Sequence, residues 1–199
     1  MSFDVILADP AWQYDSWNTS GTGRGLADSH YPTMDTDAIA ALPVGDLASP
    51  DCALFLWATW PNLLEALIVM AAWGFTYKTC AFVWVKTTKA GTAAMGTGHY
   101  TRANSEPVLF GRRGRVPVAD RGVSQIVFEE PEIILHPRTR HSAKPPIHSR
   151  IERLYPAARK VELFARERVE DWKTFGNEID GRDLRESLPA RAEEMAFLE

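Results

Sequence analysis

The tetrapeptide Asp9-Pro10-Ala11-Trp12 places a carboxylate, a rigid carbonyl and an aromatic plane next to one another. The Asp9 carboxylate and the Pro10 carbonyl can both accept hydrogen bonds from an exocyclic amine, which would turn the lone pair of the amine nitrogen towards an electrophile. Trp12 supplies a plane on which a purine can stack. The tetrapeptide therefore suits an amino-purine, although a turn capped by Asp9, with Trp12 in the core, explains these four residues equally well.

The elements around the tetrapeptide predict an α/β fold. Residues 3–8 form a short apolar run that reads as a buried parallel strand ending at Asp9. Further strands are predicted at 53–58, 79–86, 106–110, 160–165 and 172–175, and helices at 35–42, 61–74 and 145–155. Strands that alternate with helices favour a sheet with helices on both faces, in which ligands lie beyond the carboxyl ends of the strands.

Two loops rich in glycine and threonine are predicted to flank the cleft. They span residues 15–28 and 87–98, and their composition is typical of flexible active-site loops. Tyr31 and His99 lie beside them and are candidate contacts to the substrate. Open loops of this kind suit a large substrate better than a small enclosed one.

Composition predicts one ordinary globular domain. The chain has 199 residues, of which 45% are hydrophobic and 24% are charged. We assign residues 1–180 to the domain and the charged residues 181–199 to a C-terminal tail. Cys52 and Cys80 read as reduced core residues, and the histidines show no metal-ligand spacing, so no metal is expected. No segment reads as a signal peptide or a membrane span, and we expect a cytoplasmic protein.

The distribution of charge matters more than its sum of −4. A net negative charge is unusual for a protein that binds nucleic acid, because phosphate contacts provide most of the non-specific affinity. However, Arg112, Arg113 and Arg115 form a compact basic loop and are candidates for contact with a phosphate backbone, with a plain solvated loop as the alternative. The negative sum also suggests a homodimer or a partner subunit that completes the binding surface.

Several segments, taken in order, resemble one family. The chain is similar to the adenine N(6)-methyltransferase family of the catalytic subunit of the eukaryotic messenger-RNA methyltransferase, in its bacterial or phage form. The matching segments are 8–12, 31–34, 55–57, 84–87, 96–100, 142–145, 151–156, 159–166 and 172–177. They extend over roughly residues 3–180, so chance is a weak explanation.

The resemblance implies a seven-stranded, doubly wound, Rossmann-like methyltransferase sheet. It also implies a circular permutation that places the catalytic motif before the cofactor-binding strand. Asp9 and Pro10 would hold the target amine, and Trp12 would stack on the base. The residues implied to bind S-adenosylmethionine are Asp9, Lys144, Phe164, Arg166, Asn177 and Glu178. Glu162 is a candidate for the ribose hydroxyls, with a buried structural acid as the alternative.

The implied activity is methyl transfer from S-adenosylmethionine to the 6-amino nitrogen of adenine in nucleic acid. DNA is favoured over RNA, because the chain is similar to the small phage and bacterial relatives and has no zinc finger or long basic extension. One alternative is a non-catalytic nucleic-acid-binding subunit, against which the presence of Asp9, Lys144 and Asn177 argues. Another is a methyltransferase for a small amine or a free nucleotide. Ala11 departs from the family, which usually has a second proline there.

Overall fold

The computed structural model describes residues 2–13, 33–96, 100–129, 132–136 and 139–188. Its strands are β1 (Phe3–Ala8), β2 (Ala48–Trp57), β3 (Thr76–Lys86), β4 (Ser105–Arg113), β5 (Ile126–Glu129), β6 (Glu132–His136), β7 (Thr139–Ala143), β8 (Lys160–Leu163) and β9 (Trp172–Phe175). Its helices are α1 (Thr36–Ala40), α2 (Val44–Leu47), α3 (Leu63–Ala72), α4 (His148–Leu154) and α5 (Asn177–Asp180). The expectation of a mixed α/β protein is confirmed.

Seven strands form one sheet in the order β5-β3-β4-β2-β1-β8-β9, and β6 pairs with β7 in a separate hairpin. Within the large sheet, β4 runs antiparallel to β2 and β3, and every other pairing is parallel. Six strands therefore end at the same side of the sheet, which we call the carboxyl edge. Because β4 is reversed, its first residues lie at this edge and its last residues lie at the opposite one.

Both faces of the sheet are buried, which explains why β1 is apolar almost throughout. Ile6 and Ala8 point into one core cluster, which includes Val69 of α3. Val5 and Leu7 point into a second cluster, which includes Ile151 of α4. Side chains alternate between the two faces of a strand, so a strand covered on both sides needs apolar residues at nearly every position.

The basic segment differs from the sequence prediction. Gly111, Arg112 and Arg113 are not part of a loop, because they are the last residues of β4 and pair with β2. Strand β5 and the β6–β7 hairpin were not predicted at all. Strand β5 has only four residues and follows a stretch rich in glycine, proline and charge, so it carries too weak a periodic signal.

The C-terminal region also differs from expectation. Leu184 and Leu188 were placed in a charged tail, but they are 4% and 0% exposed and belong to the core cluster on the α3 side. Two leucines four residues apart lie on one face of a helical turn, which lets both reach the core. Packing therefore extends at least to residue 188. Within the described part of the chain, no helix is long and apolar enough to cross a membrane.

An ion pair at the amino end of β1 joins this strand to β8. The Arg159 side chain donates to both carboxylate oxygens of Asp4, at 2.8 and 3.0 Å, and the Arg159 backbone N–H donates at 3.0 Å. The Ser49 hydroxyl adds a bond of 2.9 Å. The bonds from Arg159, with the smaller one from Ser49, lower the pKa of Asp4 from 3.8 to about 2 against the opposing effect of burial.

Asp4→Asn should lower the free energy of unfolding by about 1 kcal/mol at neutral pH, since the pair is partly exposed and screened by solvent. A depressed carboxyl pKa stabilises the fold above the unfolded pKa, and that contribution is lost as the pH falls through the folded value of about 2. Urea denaturation from pH 7 to pH 3 should therefore show a difference between wild type and variant that is constant near neutrality and shrinks below about pH 4. Asp46→Asn, on the exposed side of α2, is the control. A difference that stayed constant down to pH 3 would contradict this assignment.

Candidate active site

The loop that carries Asp9 follows β1 and is fixed by hydrogen bonds on several sides. The Asp9 N–H donates to the Leu163 carbonyl at 3.4 Å, which brings Asp9 next to the end of β8. The Trp12 indole donates to the Trp57 carbonyl at 3.0 Å, and Asn62 donates to the Gln13 carbonyl at 2.8 Å. These bonds hold the loop rigid although Ala11 stands where the family usually has a second proline.

Trp12 is almost completely buried. Its side chain is 3% exposed and packs in the core cluster on the α3 side, so in this structure the ring anchors the loop to the core. Its backbone N–H also donates to the Pro10 carbonyl at 2.9 Å. The predicted stacking of Trp12 on a base stays a prediction. What the geometry assigns to Trp12 is to hold Asp9 and Pro10 in place.

The Asp9 carboxylate lies in a network of alternating charges at the carboxyl edge. The Lys144 ammonium donates to Asp9 Oδ1, and the same ammonium lies 3.6 Å from Glu106 Oε2. Glu106 Oε1 in turn lies 2.5 Å from the Lys86 ammonium. All four side chains are between 15% and 25% exposed, so their charges face one another in a partly dry site. Such pairs are screened less by salt than surface pairs are.

Two tryptophans form the floor of this network. The Lys144 ammonium lies 4.8 Å from the centre of the Trp57 ring, and the Lys86 ammonium lies 4.9 Å from that of Trp84. The two rings meet edge to face with centroids 6.4 Å apart. Both tryptophans are buried. In addition, their ring faces attract the two lysines through cation–π interactions.

Glu106 is a site residue that the sequence analysis missed. Burial would raise the pKa of the Glu106 carboxyl, but the charges of Lys144 and Lys86 outweigh burial and hold the pKa below its ordinary value. Glu106 therefore stays ionised between its two lysines. In the sequence it reads only as the first part of an apolar strand. It reaches the site because β4 is reversed, and no local pattern indicates that reversal.

The ends of β8 and β9 bring most of the predicted cofactor residues together beside Asp9. The N–H of Ala165 donates to the Phe175 carbonyl at 2.9 Å, which joins the segments that follow the two strands. Phe164 has a φ of 62°, an uncommon left-handed conformation for a non-glycine residue that is often found at functional sites. Arg166 Nε lies 3.9 Å from Glu178 Oε1. Asn177 and Glu178 are the first two residues of α5, which follows β9.

Glu162 lies on the α4 side of β8 and is engaged by a histidine. Its Oε2 lies 2.9 Å from His148 Nε2, and the two side chains are 16% and 14% exposed. The His148 ring meets the Trp172 ring edge on, with centroids 4.8 Å apart. This contact favours the structural alternative for Glu162, and the ribose role stays a prediction.

The arginines predicted to contact substrate are not close to Asp9. Arg112 pairs with Ala53 in the middle of β2, whereas this strand reaches the carboxyl edge at Trp57, about 13 Å further along. The Arg113 guanidinium donates to the Gly45 and Trp73 carbonyls at 2.9 and 3.1 Å, so it joins elements of the fold. Arg115 is exposed and follows the last residue of β4, away from the carboxyl edge. A role for Arg112, Arg113 and Arg115 in contact with a phosphate backbone stays a prediction. Tyr31 and His99 lie outside the described residues.

A mixed seven-stranded sheet with an acidic loop after a central strand defines the class of protein, since this architecture fits a methyltransferase fold. The MT-A70 family model matches residues 3–178, and the chain belongs to that family. The family resemblance predicted from the sequence is therefore confirmed. So is the expectation of a methyltransferase that uses S-adenosylmethionine.

Individual relatives agree with the family. The type II methyltransferase M.MunI of a Mycoplasma species is 32% identical over 208 residues, which cover 96% of this chain and 83% of that protein. The N(6)-adenosine-methyltransferase catalytic subunit METTL3 of Homo sapiens is 28% identical over 92% of this chain. The N(6)-adenine-specific methyltransferase METTL4 of Homo sapiens is 27% identical over 89% of it. The chain spans only 29% and 38% of these two human proteins.

Gly176→Ala should weaken binding of S-adenosylmethionine at least tenfold and lower the melting temperature. A Cβ at Gly176 would stand 2.0 Å from the Ala165 carbonyl oxygen and 2.8 Å from its nitrogen, so the segments after β8 and β9 would be forced apart. Overpacking of this kind costs about 1–3 kcal/mol. Titration calorimetry and thermal unfolding measure the two effects. Gly122→Ala, whose Cβ would meet only Asp120 Oδ1 at 3.2 Å, is the control. Wild-type affinity in Gly176→Ala would show that the two segments do not form the cofactor site.

Proposed function

We propose that this protein transfers a methyl group from S-adenosylmethionine to the 6-amino nitrogen of adenine in DNA. The observation that carries the proposal is the position of Asp9. It ends a central strand, borders the end of β8 and pairs with Lys144 above an aromatic floor. An acid in this place can accept a hydrogen bond from an amine brought to the carboxyl edge.

The residues around Asp9 fit the cofactor by their chemistry. S-adenosylmethionine carries a carboxylate and an ammonium, and Lys144 and Asp9 offer one charge of each complementary sign. The exposed side chains of Asn177 and Glu178 offer polar groups for a ribose, beside Phe164 and Arg166. When bound, the cofactor supplies a methyl group made electrophilic by a sulfonium. We propose that Lys144, Phe164, Arg166, Asn177 and Glu178 hold it.

Asp9 and Pro10 would hold the adenine amine. The Pro10 carbonyl already accepts the Trp12 N–H at 2.9 Å, and its second lone pair can accept one hydrogen of the amine while Asp9 accepts the other. Held in this way, the nitrogen lone pair is withdrawn from the ring and directed at the methyl group. The amine gives up one proton after the transfer, and the Asp9 carboxylate is placed to accept it.

Lys144 would position the acid that it contacts. Its ammonium donates to Asp9 Oδ1 and so holds the carboxylate at the carboxyl edge, where its other oxygen can accept a hydrogen bond from the amine. Glu106 offers Lys144 a second carboxylate 3.6 Å away, and Lys86 balances Glu106 from the other side. If the ammonium shifted towards the cofactor carboxylate, Glu106 would keep Lys86 as its partner and Asp9 would face the cofactor ammonium, so no charge in this partly buried site would be left uncompensated.

Two finer features belong to the same proposal. The catalytic strand β1 precedes the cofactor strand β8 in the chain yet pairs with it directly, which supports a circularly permuted arrangement of the sheet. The preference for DNA is supported by the type II methyltransferase M.MunI, of which the chain covers 83%. A duplex would have to release its adenine from the stack, at a cost of a few kcal/mol, before the base could reach Asp9.

Asp9→Asn should reduce turnover by at least a hundredfold, since a carboxamide cannot hold or deprotonate the amine as a carboxylate does. Cofactor binding should weaken by less than tenfold. The assay incubates the protein with radiolabelled S-adenosylmethionine and single- or double-stranded DNA or RNA, then digests the polymer and identifies the labelled base.

Asp46→Asn, an exposed acid on α2, is the matched control and should retain full activity. N(6)-methyladenine in DNA is the expected product. Label in cytosine, label in RNA alone, or undiminished turnover by Asp9→Asn would each overturn part of the proposal.

A further inference from the structure

Trp60 is an exposed aromatic residue at the rim of the carboxyl edge. It lies in the turn between β2 and α3, and its side chain is 47% exposed. A single exposed apolar residue needs no explanation by itself. Trp60, however, is held in place, because its indole N–H donates to the Ser105 hydroxyl at 3.0 Å. The turn around it is closed by the bond from Asn62 N–H to the Thr59 carbonyl at 3.1 Å.

The turn that carries Trp60 connects the two halves of the candidate active site. On one side, the Asn62 side chain donates to the Gln13 carbonyl in the loop of Asp9. On the other side, Ser105 directly precedes Glu106, the partner of Lys86 and Lys144. Trp60 therefore presents a fixed aromatic surface next to the place where the proposed function puts the target adenine.

A cation accompanies this surface. Lys86 at the end of β3 is paired with Glu106, but Lys89 is exposed in the turn that follows, which is closed by a bond of 2.8 Å from the Thr88 N–H to the Thr92 carbonyl. An aromatic plane with a lysine along the same edge is a combination that binds single-stranded nucleic acid, since a base stacks on the ring and a phosphate lies near the cation. Leu64 and Ile68 of α3 are exposed as well, at 71% and 58%, but neither offers a ring on which a base can stack, and the bond to Ser105 fixes the Trp60 ring beside the strand that carries Glu106.

We propose that Trp60 stacks on the unpaired base next to the target adenine. The inference rests on the proposed function, because it assumes that an adenine from a polymer enters at Asp9. An adenine held there is removed from its stack, so its neighbour in the strand has lost one stacking face. The Trp60 ring stacks on the exposed side of that neighbouring base and replaces the lost stacking contact. The substrate is therefore single-stranded or locally opened DNA, and Trp60 contributes to binding of the strand rather than to chemistry.

The test measures how strongly Trp60 and the neighbouring base depend on each other. Wild type, Trp60→Ala and Trp60→Phe are titrated with fluorescent single-stranded oligonucleotides. Each oligonucleotide holds one adenine, and its flanks contain the other three bases in random order. A second set of oligonucleotides has an abasic nucleotide beside the adenine. Fluorescence anisotropy gives the Kd, and methylation gives KM and kcat. Tyr77→Ala is the matched control, because Tyr77 is 44% exposed but lies at the opposite edge, paired with Gly111.

Trp60→Ala should raise the Kd and KM for the intact oligonucleotide about tenfold, as expected for one stacked base. The abasic nucleotide should raise the Kd of wild type by a similar factor and leave the Kd of Trp60→Ala almost unchanged. Trp60→Phe should recover part of the loss, and kcat and cofactor affinity should change less than twofold. Equal abasic penalties in wild type and Trp60→Ala, or an unchanged Kd in Trp60→Ala, would overturn the inference.

The two proposals fail in different ways. Coupling between Trp60 and the neighbouring base in the anisotropy data, without methylation, would refute the proposed function and leave the stacking role standing. Methylation of adenine without that coupling would refute the stacking role and leave the proposed function standing. A loss in Tyr77→Ala as large as that in Trp60→Ala would assign the effect to general destabilisation, and would also overturn the stacking role.

Discussion

The contact between Asp9 and Lys144 is the interaction on which the candidate site depends. It joins two segments that are 135 residues apart in the chain. Neither charge is tolerated alone in a partly buried place, so each requires the other, and Glu106 and Lys86 extend the same compensation. The fold is arranged to allow this contact, because β1, β2, β3 and the start of β4 all reach the same edge of the sheet.

Much of the fold follows from local sequence patterns. The apolar run of β1 is buried on both faces, so its residues are hydrophobic at nearly every position and the strand can be recognised without further information. The helix predicted at 35–42 is found as α1, and Asp35 caps it by accepting from the Ala38 N–H at 2.7 Å. The candidate acid at the end of β1 follows from the same logic, since a polar residue that ends a buried strand is exposed to a cleft.

The features that the sequence does not indicate are those created by the order of strands. Glu106 reaches Lys144 only because β4 runs against its neighbours, and the same reversal carries Arg112 away from Asp9. The burial of Trp12 depends on a carbonyl of β2, 45 residues away in the chain. The sequence places Trp12 next to Asp9, but it does not show that the indole N–H is bound to the distant Trp57 carbonyl. Tertiary context decides such cases, and a single sequence does not contain it.

The reversal of β4 has another consequence, which concerns how such a protein can change. Strands β3 and β4 pair along most of their length, and the segment between them both leaves and returns at the edge where Asp9 lies. Residues can be added to or removed from this segment at a small entropic cost, without altering the register of any strand. The length of this connection can therefore change while the strands that position Asp9 and Glu106 stay in place.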